Sequence, residues 1–142
     1  MTAFSGGCHC GNIALIFTTD VAPEELPMRE CQCSFCRKHG VRTVTDPAGQ
    51  VTIDVRDKEL LSHYQFGQSV ADFLVCRECG IYVAAYMKHD EGAVATLNIN
   101  TLADNPFGAR HGQSADYSAE SASSRATRRR QMWTPARLIS RA

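Results

Sequence analysis

Phe73-Leu74-Val75-Cys76-Arg77-Glu78-Cys79-Gly80-Ile81-Tyr82-Val83-Ala84-Ala85-Tyr86 sets a CxxCG turn between two apolar, β-rich runs. Short runs of this kind, punctuated by glycine, predict strands rather than helices. The two here are Val70 to Val75 and Ile81 to Met87, with Gly67, Gly80 and Gly92 marking turns. Outward along the chain, Ile13, Leu15 and Phe17 alternate with other residues within Asn12 to Thr19. Val51-Thr52-Ile53-Asp54-Val55 alternates more cleanly and follows the turn-forming Asp46-Pro47-Ala48-Gly49. Leu60 to Phe66 and Ala93 to Ile99 complete the set of expected strands. The fold class is therefore mainly β and mostly antiparallel, without the βαβ alternation of a nucleotide-binding sheet.

Cysteine chemistry dominates the rest. All seven cysteines fall into three groups: Cys8-His9-Cys10-Gly11, Cys31-Gln32-Cys33-Ser34-Phe35-Cys36 and Cys76-Arg77-Glu78-Cys79-Gly80. An odd count cannot pair fully within one chain, and nothing in MTAFSGGCHCG resembles a secretory signal. A reduced, cytoplasmic protein is the expectation, and clustered thiols in that setting suit metal better than disulfides. Soft sulfur donors favour zinc, with iron–sulfur as the competitor. Cys8, Cys10, Cys76 and Cys79 can close a four-ligand site. Cys31, Cys33 and Cys36 then offer three ligands, either with a fourth position open or with a histidine such as His39 completing the set. Gly11 and Gly80 follow their cysteines where a tight metal-binding turn needs a permissive backbone.

The composition bounds the function classes. With 142 residues the chain fits one core, and its apolar runs fall far short of a membrane span, which takes about 20 residues. The zero net charge hides an asymmetry: residues 1–120 carry 15 acidic and 9 basic side chains, and residues 121–142 carry six arginines and no acid. Those are Arg125, Arg128, Arg129, Arg130, Arg137 and Arg141. A helix starting near Ser118 or Ser121 is expected to end near Trp133, before Pro135, with Ala119, Ala122, Ala126 and Trp133 on one face. No recognition-helix or RNA-binding motif accompanies the arginines, so nucleic acid is disfavoured and docking across the acidic body is preferred. Tyr64, Phe66 and Phe73 read as core, with a pocket wall as the alternative. His63, on the same expected strand, reads as structural.

The segments GGCHCGNIAL, CQCSFCRKHG and FLVCRECGIYVAAY, in that order, resemble the family of glutathione-dependent formaldehyde-activating enzymes, which includes centromere protein V. The resemblance covers roughly residues 5–100, and the tail RATRRRQMWTP resembles those of small bacterial members. It implies a small zinc-stabilised antiparallel β fold of Mss4-like, or β-tent, type. It further implies two Zn2+ ions per chain: a structural one on Cys8, Cys10, Cys76 and Cys79, and a catalytic one on Cys31, Cys33 and Cys36. One departure is Val75, where members commonly carry an aromatic residue before the CxxCG.

The implied activity is that of a carbon–sulfur lyase-type enzyme acting on a glutathione–aldehyde adduct or a similar small thiol adduct. The alternative is a non-catalytic zinc-stabilised interaction module. Arg37, Lys38 and His39 follow the central cluster and are the expected substrate-binding residues, since cations there can meet the carboxylates of a glutathione-like thiol. His9 is read as a surface residue. Residues 1–115 are expected to form the zinc-binding domain and residues 116–142 an arginine-rich helical tail docked upon it. The expected partner is a small thiol or its aldehyde adduct, with no membrane partner and with self-association left open.

Overall fold

The computed structural model describes residues 1–140; Arg141 of the basic tail lies outside the described residues. Eleven strands form one open sheet, accompanied by two short helices, so the chain is mainly β. The first layer is β1 (Thr2–Gly7), β2 (Ile13–Thr19) and β5 (Gln50–Val55), antiparallel neighbours in that order. In β2 the alternation predicted from sequence is observed. Ile13, Leu15 and Phe17 are buried, while Ala14 and Ile16 face outward. Across the ladder Leu15 meets Ile53 and Phe17 meets Val51, so matched apolar positions share one face. Each such side chain contributes about 1.5–3 kcal/mol by leaving water.

The second layer is a run of hairpins: β6 (Leu61–Tyr64), β7 (Asp72–Cys76), β8 (Tyr82–His89) and β9 (Gly92–Asn98). All six residues from Tyr82 to Met87 are buried, because β8 is covered on both faces. Val83, Ala84 and Tyr86 join the main core with Leu15, Phe17 and Ile53. Tyr82, Ala85 and Met87 join a second cluster with Cys36, Phe73, Val94 and Trp133. Beyond β9 come β4 (Thr43–Val44), β3 (Met28–Cys31) and β10 (Gln113–Ala115), the last pairing parallel with β3.

The strand unforeseen in the sequence is β11 (Thr134–Ser140). It pairs parallel with β5, placing Leu138 opposite Ile53, while its first residues Thr134 and Pro135 pair antiparallel with Ala95 and Val94 of β9. It thereby joins the two layers from inside the sheet. Strands β1, β3, β4 and β10 were also not predicted, and the expected Leu60 to Phe66 strand is shorter, beginning after a 3-10 turn at Lys58–Leu60.

Helix α1 (Ser34–His39) leads out of the central cysteine group, and α2 (Ala122–Met132) starts on the Ser121 cap, whose hydroxyl accepts from the Ser124 amide at 3.2 Å. The inward face of α2 differs from the expected alanine stripe. Ala119 and Ala122 are exposed, whereas Arg125, Ala126, Arg128 and Arg129 are half-buried and Trp133 is buried. Arginine stems can lie along apolar surface while their heads find partners, as those of Arg125 and Arg128 do at Glu120.

Candidate metal centres

Two groups of cysteines converge, and among the described residues they contain no histidine. The first joins the β1–β2 and β7–β8 turns: the sulfurs of Cys8, Cys10, Cys76 and Cys79 lie within 4.8 Å of one another. Cys8 to Cys10 is 3.7 Å and Cys10 to Cys76 is 3.5 Å. Tetrahedral zinc–thiolate bonds of about 2.3 Å separate neighbouring sulfurs by about 3.8 Å, so the donor set and its spacing fit a four-thiolate metal. Each turn is built the same way. The Ile13 amide donates to Cys8 Sγ at 3.2 Å, the Cys79 amide to Cys76 Sγ at 3.5 Å, and such bonds favour thiolates. Gly11 and Gly80 then take φ of +87° and +81°, a region that costs other residues strain. Burial pushes the Cys76 thiol up to about 12. A cation in the cradle would reverse that preference.

The second group is Cys31, Cys33 and Cys36, whose sulfurs also lie within 4.8 Å of one another. Cys31 ends β3, Cys33 caps α1, and Cys36 sits in its first turn with its amide donating to Cys33 Sγ at 3.4 Å. Hydrogen bonds from the Cys31 and Cys36 thiols pull Cys33 down to about 2. The bond to Cys33 pushes Cys31 up, and the bonds to Cys31 and then Cys33 push Cys36 up. Without a metal, then, the mutual hydrogen bonds favour the thiolate form at Cys33 over Cys31 and Cys36.

This triplet opens onto a cavity of about 560 Å³, lined also by Phe66, Phe73 and Tyr82 on one side and by residues of α2 on the other. Such a volume suits a small organic ligand. Burial raises the Tyr82 hydroxyl well above its ordinary range, so it keeps its proton. Phe66 and Phe73 are thus both core and cavity wall. Tyr64, half exposed, stacks on Phe66 and Phe35 at 5.6 Å.

The expected substrate-binding residues lie elsewhere. Arg37, Lys38 and His39 are exposed on α1 and do not line the cavity; the His39 ring lies 4.5 Å from that of Phe35. His9 is exposed as expected, and His63 pairs with Asp72 at 3.1 Å. The cations that line the cavity are Arg29, Arg125, Arg128 and Arg129. Glu120 accepts from Arg125 at 3.3 Å and from Arg128 at 2.8 Å, and Arg128 lies 3.5 Å over the Tyr117 ring. Arg128 holds the Glu120 carboxyl below its usual range. Arg129 lies 4.7 Å over Trp133, and its buried Nε has no hydrogen-bond partner. Burial, then Arg128 and Arg125, bring Arg129 down to about 10, so it remains charged at neutral pH. The arginine run and Trp133 are conspicuous in the sequence, but only the fold turns them toward the cysteines.

No helix among the described residues is long and apolar enough to cross a membrane. A crystal structure of a Rhodobacter sphaeroides protein is similar, with 29% identity and a TM-score of 0.58 over 78% of this chain and 99% of that one. The family model for glutathione-dependent formaldehyde-activating enzyme matches residues 3–128. With that match spanning most of its length, the chain belongs to the glutathione-dependent formaldehyde-activating enzyme family.

Proposed function

We propose that the chain is a zinc-dependent carbon–sulfur lyase-type enzyme, joining a small thiol to an aldehyde and, in reverse, releasing the two. The observation that carries this reading is the Cys31, Cys33 and Cys36 triplet opening onto the 560 Å³ cavity rather than being closed by a fourth side chain. Cys8, Cys10, Cys76 and Cys79 hold the structural metal in this reading, and the whole is of Mss4-like, β-tent type. Bound at the triplet, zinc would supply a Lewis acid that favours the thiolate form of a substrate thiol.

The chain's own residues supply the rest. The three cysteines fix the position at which the substrate sulfur arrives. Phe66 and Phe73 exclude water from one wall, which strengthens electrostatic interactions inside. In the forward direction a carbon–sulfur bond forms as the carbonyl π bond breaks. The proton lost by the thiol is balanced by one gained from solvent at the former carbonyl oxygen, and Tyr82 on the cavity wall, which keeps its own proton, would donate a hydrogen bond to that oxygen as charge develops there. Arg37, Lys38 and His39 act in this reading by long-range attraction of an anionic substrate from outside the cavity lining.

Exchange spectroscopy on 13C-labelled formaldehyde and glutathione tests this directly. Zinc-loaded protein should accelerate formation of S-(hydroxymethyl)glutathione over the spontaneous rate, and Cys33→Ser should remove the acceleration while the chain stays folded. Identical rates with and without the wild-type protein would point to a zinc-stabilised interaction module instead.

A further inference from the structure

The arginines of α2 do more than dock a helix. Four guanidiniums line the cavity beside the cysteine triplet, and three of them donate to protein acceptors. Arg29 donates to Thr45 Oγ1 at 3.0 Å. Arg125 donates to the Tyr117 carbonyl at 2.6 Å and shares Glu120 with Arg128, which also stacks on Tyr117. Arg129 differs from all of them. Its guanidinium carbon lies 4.7 Å over the Trp133 ring, yet among the described residues no carboxylate pairs with it and its buried Nε meets no acceptor. A buried cationic donor without an acceptor is costly and is kept where something external completes it. Its planar fork matches a carboxylate, which accepts two parallel hydrogen bonds.

We propose that Arg129, held by Trp133 and backed by the Glu120-clamped Arg125 and Arg128, is a carboxylate-binding subsite that selects thiols bearing a carboxylate over neutral thiols. This rests on the reading of Cys31, Cys33 and Cys36 as the sulfur end of the same cavity. The cavity then reads a ligand at two points: sulfur at the triplet and carboxylate at Arg129. The role lies on the C-terminal helix, not on the Arg37 and Lys38 pair that follows the cysteines in sequence. Arg130, exposed on the same helix and absent from the cavity lining, has no part in it.

The test separates the two ends by using probes that each carry one of them. S-methylglutathione keeps the carboxylates but has no free thiol; 2-mercaptoethanol keeps the thiol but has no carboxylate. Calorimetry on the zinc-loaded chain measures the first, and absorbance of the cobalt-loaded chain follows the second. Arg129→Gln should weaken S-methylglutathione and glutathione by at least about tenfold. It should leave 2-mercaptoethanol within about twofold, Arg129→Lys should recover part of the loss, and Arg130→Gln should change nothing. Added salt should weaken S-methylglutathione binding to the wild type, a readout independent of any variant's folding. Absence of S-methylglutathione binding to the wild type would overturn the subsite. So would equal binding by Arg129→Gln, or an equal loss for 2-mercaptoethanol. If 2-mercaptoethanol fails to bind the wild type while S-methylglutathione binding still depends on Arg129, the subsite stands and the metal–thiol reading fails.

Discussion

Glu120 grips Arg128 through two parallel contacts, Nε to Oε2 at 2.8 Å and Nη2 to Oε1 at 3.1 Å. This pair holds the inward face of α2 over the cavity, and the same carboxylate reaches Arg125. Arg129, one residue on, is left to Trp133.

Glu120→Gln should therefore destabilise the chain by about 1–2 kcal/mol at neutral pH, through lost charge-assisted hydrogen bonds. Because Arg128 holds the Glu120 carboxyl below its unfolded value, the stabilisation is present above that value and is lost as pH falls through the folded one. Wild type and variant should converge in thermal melts run from pH 7 down to pH 3. A gap that stays constant across the range would contradict the pair's role.

The two cysteine groups should fail differently. Cys76 sits in a cradle joining two hairpins, so Cys76→Ser should lose its structural metal and with it cooperative unfolding. Cys33→Ser should bind one metal fewer per chain and still unfold cooperatively. Metal analysis alongside calorimetric melts distinguishes them, and equal collapse of both variants would erase the division of roles.

Metal loading at the triplet should depend steeply on pH. In the metal-free triplet Cys33 is pulled down, while Cys31 and Cys36 are pushed up and favour their protonated forms. Loading then displaces two protons, so affinity at this site should fall by up to about 100-fold per pH unit of acidification. Chelator competition between pH 6 and pH 8 measures this, and a flat profile would show that the thiols are ionised beforehand.

Tyr82→Phe should slow adduct formation by about 10- to 100-fold while leaving thiol affinity within about twofold, as expected of a hydroxyl that hydrogen-bonds the developing oxyanion. A loss confined to affinity would make Tyr82 a wall only.

Truncation after residue 115 tests whether the final segment is an appendage. Strand β11 lies between β5 and β9, so its removal bares two strand edges at the middle of the sheet. The shortened chain should aggregate or fail to fold, read by its melt and by size-exclusion chromatography. A soluble, cooperatively melting 1–115 fragment would show that the domain ends there.

The legible features were local ones. Alternation at Ile13, Leu15 and Phe17 and at Val51, Ile53 and Val55 reports a half-buried strand without reference to anything distant. The close spacing of Cys31, Cys33 and Cys36 likewise brings three ligands together from one short segment. β11 was hidden because Thr134-Pro135-Ala136-Arg137 carries a proline and a charge that argue against an interior strand, and its partners Val51 and Val94 lie far away in sequence. The cavity arginines were hidden for a related reason. Six arginines in a short segment read as a patch docked across the acidic body, with no cavity in view, and only the Ser121 cap, the Trp133 anchor and Glu120 together turn three of them inward. Arg37 and Lys38 illustrate the converse: adjacency to Cys36 in sequence put them on the outer face of α1.

The most direct measurement is a thiol titration of the chain loaded with two cobalt ions. If Cys31, Cys33 and Cys36 leave a coordination position open, a thiol should add one sulfur-to-cobalt charge-transfer contribution at one of the two sites, saturating at one equivalent and disappearing in Cys33→Ser. A spectrum unchanged by thiol, at concentrations up to several millimolar, would mean that both sites are closed, and it would contradict the assignment of the triplet as the place where carbon–sulfur chemistry occurs.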